Sequence, residues 1–147
     1  LRRCSAAPHR LAEGAYFPGA LPRGGAIYER VSAARKAWCE LSEARDYLTT
    51  RHPERFDLII TNPPFSLAME FLLKLLDEAD TVIYLLRLNM LGSQARRDFW
   101  NNRPPTHLFP LARRPSFTGN GTDATEYAWF AWDRGSLILV DGWLTVL

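Results

Sequence analysis

Phe56-Asp57-Leu58-Ile59-Ile60-Thr61-Asn62-Pro63-Pro64-Phe65 is the stretch that decides how this chain reads. Its first six residues lack the alternation of a half-exposed strand and are rich in Ile and Leu, the pattern of a strand with helices over both sheet faces. The run stops at Asn62 and two prolines. A proline pair cannot continue a hydrogen-bonded ladder, so an Asn-Pro-Pro-aromatic turn is expected to close a buried strand. Open α/β sheets place their chemistry at that end of a strand.

On the carboxyl side, Ser66 stands where it could cap a helix in which Ala68, Phe71, Leu72, Leu75, Leu76 and Ala79 recur at helical spacing. Asp77, Glu78 and Asp80 fall at the unfavourable end of that helix dipole, which predicts a solvated terminus. Residues 81–88 read as a second buried strand. A strand, helix and strand in this order predict parallel pairing with a right-handed crossover. Further on, a helix over residues 93–102 stops before Pro104 and Pro105, and Pro110 makes residues 107–112 an edge or bulged strand. Residues 125–132 are aromatic and β-prone. Asp141-Gly142, between residues 137–140 and 143–147, is a hairpin signal.

The amino-terminal side is less regular. Residues 1–25 show no sustained period and read as loop with room for one short element. A short apolar piece at residues 26–28, a helix over residues 31–38 and a brief segment over residues 39–47 follow. The expected architecture is a single α/β domain over residues 1–147, with its core in residues 26–136 and a hairpin extension over residues 137–147.

With 147 residues and a hydrophobic fraction of 47%, the chain has material for one core. A net charge of +2 excludes a polyanion binder acting through its whole surface. Charge is nevertheless clustered: Arg87, Arg96, Arg97, Arg103, Arg113 and Arg114 have only Asp98 as an acid among them. Such a cluster suits phosphate contacts, or for Arg96 and Arg97 a solvated helix face. Cys4 and Cys39 share no metal-ligand spacing with His9, His52 or His107, so reduced structural thiols and no metal are expected. No apolar run approaches membrane-spanning length and no signal-peptide pattern opens the chain, which predicts a soluble, cytoplasmic protein without membrane partners.

The Asn-Pro-Pro-Phe turn suits one kind of chemistry. The exocyclic amine of a nucleobase is a poor nucleophile because its lone pair is delocalised into the ring. Two acceptors, the Asn62 side-chain oxygen and the Pro63 carbonyl, could receive both N–H groups and favour a more tetrahedral nitrogen as a transition state forms. The prolines hold the turn extended, and Phe65 offers a flat face for an extruded base. The plain alternative is that Pro63 and Pro64 terminate a strand while Phe65 packs inward.

Residues Phe56 to Ser66 resemble the catalytic motif of the S-adenosylmethionine-dependent amino-group DNA methyltransferases, especially adenine-N6 enzymes of phage and bacterial type. Tyr84-Leu85-Leu86-Arg87-Leu88-Asn89-Met90-Leu91-Gly92-Ser93 is similar to the strand and turn that follow in that family. The stretch from Arg113 through Pro115, Phe117, Gly119, Gly121 and Asp123 to Phe130 resembles its late loop and strand. The similarity covers residues 46–132. It implies a Rossmann-like doubly wound sheet, mostly parallel with an antiparallel strand near the carboxyl terminus, S-adenosylmethionine as cofactor, DNA as partner and a bacterial or phage-infected cytoplasm as location.

The resemblance also assigns roles. Asn62, Pro63, Pro64 and Phe65 would be catalytic. Asp46 would accept from the donor's adenine, with Tyr47 or Leu48 packing on the ring. Glu40 would bind the ribose, although Glu29 has the more usual separation, and Gly14 would belong to the Gly-rich donor turn. There the chain departs from the pattern, because Ala12 stands at the first glycine and no apolar strand precedes it. Phe117 would form a second aromatic wall, with Arg87, Arg113 and Arg114 on the nucleic-acid side. RNA or a protein glutamine as acceptor, and an inactive nucleic-acid-binding remnant of the fold, are the competing expectations.

Overall fold

In the computed structural model, Phe56–Thr61 form a strand (β3) that ends at Asn62. The structure describes the backbone of β1 (Leu11–Tyr16) and β2 (Lys36–Glu40), and residues 47–49, 52, 55–116, 122 and 124–147 in full. A 3-10 turn at Phe65–Leu67 leads into α1 (Ala68–Glu78), which passes straight into β4 (Ala79–Arg87). Then follow α2 (Arg97–Asn102), β5 (His107–Pro110) and β6 (Tyr127–Asp133).

The six strands form one mixed sheet in the order β2-β1-β3-β4-β6-β5. The first four run parallel, and β6 runs antiparallel to both of its neighbours. Register fixes which side chains share a face, because directly paired residues point the same way. Ile59 pairs with Val82 and Thr61 with Tyr84, while Val82, Tyr84 and Leu86 pair with Trp132, Phe130 and Ala128. This row is buried beneath Phe71, Leu72, Leu75 and Leu76 of α1. The Tyr84 hydroxyl donates to the Ala68 carbonyl at 2.9 Å, fastening the first turn of α1 to the sheet. Burial, with a smaller contribution from the Glu70 charge, pushes the Tyr84 phenol up, so it stays a donor.

Several expectations need correction. The one short element that residues 1–25 had room for is the strand Leu11–Tyr16, which lies between β2 and β3 where no central strand was expected, and Lys36–Glu40 is a strand where residues 36–38 were expected to be helical. Pairing in a parallel sheet overrides weak local periodicity. The two described α-helices lie on one face, since Trp100 of α2 packs on Phe130 and Trp132 of the row under α1, and most of the chain joining β1, β2 and β3, on which the expected cover of the other face falls, lies outside the described residues. Burial in β3 accordingly alternates at its end, with Ile59 and Thr61 buried and Leu58 and Ile60 only partly so. Ser66 caps nothing: it is exposed within the 3-10 turn, and Leu67 is the residue before α1.

The carboxyl end of α1 is not simply solvated. Arg55 donates to the carbonyls of Asp77 and Ala79 and pairs with Asp80, while Arg134 donates to the carbonyls of Leu76 and Ala79. Two guanidinium groups thus satisfy the helix end that its acidic residues cannot. The expected hairpin at Asp141-Gly142 is also absent. Gly142 takes a φ of 86° in a turn, but Trp143–Leu147 runs along the edge of β5 instead, with a parallel bridge between Leu108 and Leu144. The Leu108 N–H donates to the Trp143 carbonyl, and the N–H groups of Thr145 and Leu147 donate to the carbonyls of Leu108 and Pro110. Within β6, Asp133 accepts from Thr81 Oγ1 at 2.6 Å and from the backbone N–H groups of Leu137 and Ile138. Burial opposes the ionised form, but these three donors outweigh it and hold the carboxyl below its usual range. Among the described residues no helix is long and apolar enough to cross a membrane.

Leu72 is fully buried between α1 and the central row. Leu72→Ala is therefore expected to cost about 2–5 kcal/mol, read as a lowered urea midpoint at unchanged slope; a loss below 1 kcal/mol would show that α1 is not packed as described.

Candidate amine-binding site at the carboxyl edge of the sheet

The parallel strands all end at one edge, and β3 delivers Asn62 there. The sheet order shows why that edge matters: the chain runs from β1 outward to β2, then returns to β3 on the other side of β1. The reversal opens between the carboxyl ends of β1 and β3. Glu13 pairs with Ile60, so Gly14 stands one residue further along β1, close to where β3 hands over to Asn62. The β1–β2 register is irregular between Glu13 and Tyr16, around that glycine, and Tyr16 pairs with Glu40 at the end of β2. Glycine inside a strand often marks such an irregularity.

Asn62 is half-buried, and its side-chain oxygen Oδ1 is buried without a hydrogen-bond donor among the described residues. An orphaned buried acceptor costs about 1–3 kcal/mol relative to a satisfied one, and such groups are few in native proteins, a catalytic or binding role being one reason for their presence. Pro63 is buried beside it. The turn is closed by the Leu67 N–H donating to the Pro64 carbonyl at 3.0 Å, while Pro64 stays extended at φ −64° and ψ 128°. The chain thus leaves β3 rigidly.

Phe65 does not pack into the core. Its ring is half-buried, with the Arg87 guanidinium 4.2 Å above its centroid and the Tyr127 ring 5.6 Å away at 48°. Arg87 is the last residue of β4 and pairs directly with Tyr127, the first of β6. Arg87 Nε also donates to the Tyr127 hydroxyl at 3.0 Å. The turn after β3, the end of β4 and the start of β6 therefore supply one side chain each to a small aromatic and cationic assembly. Sequence reading passed over Tyr127, whose only signal was its place in an aromatic strand.

The expected basic cluster is divided by the fold. Arg113 and Arg114 follow β5 at the same edge as Asn62, both exposed, with Arg114 4.0 Å from Glu126. Arg96 instead donates to the Met90 carbonyl, and Arg103 faces Asp77 near the opposite edge. At that opposite edge Leu76, Arg103, Thr106, Trp132 and Arg134 border a pocket of about 340 Å³, well away from Asn62.

On the expected donor side, Glu40 and Gly14 are described by their backbone positions alone, and Asp46 and Phe117 lie outside the described residues. Tyr47 departs from expectation. It is 2% exposed, its ring stacks on Phe71 at 5.6 Å, and its hydroxyl donates to Glu78 at 2.5 Å. That ring is committed to α1 rather than offered to a cofactor. Glu78 also receives Lys74 at 2.5 Å and lies 3.2 Å from His52 Nδ1. Burial works against its ionised form, but the bonds from Lys74, Tyr47 and His52 prevail and lower its pKa. Among the described residues no group of three or more His, Cys, Asp and Glu could hold a metal ion.

Two outcomes follow from these environments. Asn62→Ala should leave the unfolding free energy within about 1 kcal/mol of the parent protein, because it removes an orphaned acceptor rather than a made bond; a larger loss in urea titration would mean that Asn62 serves stability. Glu78→Gln should lower stability by about 1–2 kcal/mol at pH 7. Because the folded-state pKa of Glu78 is depressed, its contribution is complete above the unfolded-state value of about 4.3 and is lost as pH falls through the folded value. The gap between the two proteins should therefore close on acidification, and a gap independent of pH would count against the Glu78 cluster. No family model and no curated protein matches this chain, so a functional reading rests on the site itself.

Proposed function

We propose that the chain is a Rossmann-like, doubly wound methyltransferase domain that transfers methyl to an exocyclic amine, with adenine N6 in DNA as the acceptor. The observation that carries the reading is the orphaned Asn62 Oδ1, buried at the end of β3 beside the reversal in strand order. Ligands in open α/β sheets bind outside the carboxyl ends of strands at such a reversal. A buried oxygen without a donor calls for an N–H.

Asn62 Oδ1 and the Pro63 carbonyl accept from the two N–H groups of the amine, drawing its lone pair away from the ring and onto nitrogen. Neither acceptor is a strong base, and none is needed, because the cationic ammonium left when the amine nitrogen gains a methyl group is acidic enough to release its proton to water. Phe65 provides the stacking surface for the base, and Arg113 and Arg114 stand exposed at the same edge for phosphate. When bound, S-adenosylmethionine supplies an electrophilic methyl group. Gly14 and Glu40 fit such a donor by position, Gly14 at the register irregularity in the carboxyl half of β1 beside the reversal and Glu40 at the end of the neighbouring β2. Tyr47 does not fit, being held by Phe71 and Glu78.

Mass analysis of nucleosides after incubation with DNA and S-adenosylmethionine tests the reading. N6-methyladenine should form, and Asn62→Ala should reduce its rate by on the order of 100-fold or more while calorimetric binding of the donor stays nearly unchanged. An undiminished rate would remove Asn62 from the mechanism. Methyl groups found only in RNA would transfer the reading to a different acceptor.

A further inference from the structure

One face of the Phe65 ring is already covered. Arg87 places its guanidinium 4.2 Å over the ring centroid, held from the side by the 3.0 Å bond from Nε to the Tyr127 hydroxyl. Tyr127 is itself fully buried and its ring is tilted against Phe65, so it anchors Arg87 from a fixed position. A planar base and a guanidinium plane cannot both lie in contact with the same ring face.

We infer that Arg87 is a placeholder for the base: its guanidinium fills the face of Phe65 in the empty site and leaves it when a purine stacks there. The inference rests on the reading of Asn62 to Phe65 as an amine-binding turn, and it names the event by which that turn opens. The relative strengths of the two contacts allow the exchange. A cation over an aromatic ring at a partly exposed site is worth roughly two- to fivefold in an equilibrium, whereas a base stacked on an aromatic side chain is worth on the order of five- to a hundredfold. The bond from Nε to Tyr127 adds roughly two- to tenfold to the hold on the cation, so a base stacking in the upper part of its range displaces it, and the cation in turn keeps weaker apolar groups off the ring. Arg87 then differs in kind from Arg113 and Arg114. Those exposed cations suit phosphate, while Arg87 acts on the occupancy of Phe65.

Adenosine, which carries no phosphate, separates these roles when it is titrated into protein saturated with S-adenosylhomocysteine, so that the donor side is already filled. In the wild-type protein the Arg87 Nε–H resonance should be shifted upfield by the Phe65 ring current and should return toward the ordinary arginine position as adenosine is titrated in. Arg87→Lys, which keeps the charge but not the plane, and Arg87→Ala should each bind adenosine roughly two- to fivefold more tightly. Tyr127→Phe, which removes the hydrogen bond to Nε, should shift affinity the same way by less. If adenosine binds while the Arg87 signal stays put and neither variant binds more tightly, the placeholder role is overturned and the amine-binding turn survives. Weaker binding by both variants would make Arg87 a fixed wall of the site, which also overturns it. If adenosine binds neither the wild-type protein nor the variants, the reading of the turn falls, and the inference falls with it.

Discussion

The structure depends on how β3 hands the chain to α1. Between Thr61, whose row is sealed beneath the helix, and Ala68, whose carbonyl accepts from Tyr84, the backbone has six residues in which to leave one layer and enter another. Pro63 and Pro64 restrict that path, and the Leu67 N–H bond to Pro64 closes it. Asn62 opens that path, and its side-chain oxygen is buried there without a donor among the described residues. The burial of Ile59, Val82, Tyr84 and the α1 leucines in the core outweighs the cost of that unpaired acceptor. Stability in the core and an unsatisfied group at the edge are two results of one piece of packing.

The part of the fold legible in the sequence is the part whose pattern is local. Phe56–Thr61, α1 and β4 announce themselves through an apolar run, a helical stripe and a second apolar run, and they pair in parallel as the βαβ order requires. The sheet's reversal is not legible, because β1 contains Ala12, Glu13 and Gly14 and carries little strand signal without its neighbours β2 and β3. The end of the chain misleads for a different reason. Asp141-Gly142 does make a turn, yet the free edge of β5 offers Leu108 and Pro110 as backbone partners, and residues 143–147 pair there rather than with residues 137–140. A local turn signal says that the chain bends, not which strand it meets afterwards.

The site divides along the same line. Asn62, Pro63, Pro64 and Phe65 are adjacent in sequence, so their common location needed no tertiary information. Tyr127 joins Phe65 only through the register of β4 with β6, and no spacing in the sequence contains that register. Tyr47 shows the reverse error: its place beside Asp46 suggested a ring for a cofactor, whereas its contacts run to Phe71 and Glu78. The arginines, close together in sequence, are separated by the turn of the chain through α2 and β5, which leaves Arg113 and Arg114 at the Asn62 edge and carries Arg103 away.

Charge gives a further reason for Arg87 to move in the course of the proposed reaction. Methyl transfer from a sulfonium to an amine carries positive charge toward the nitrogen, and a guanidinium fixed beside that nitrogen would oppose its development by several kcal/mol at an effective dielectric of about 20. Asn62 is suited to the same requirement, since its oxygen attracts N–H groups without bearing a full charge that would be costly to bury. A site built from a neutral acceptor, an apolar ring and a cation that withdraws is electrostatically consistent only if the cation is absent when the bond forms. On the proposed reading, the contact between Arg87 and Phe65 would belong to the resting protein and would be exchanged for a base before the chemistry starts.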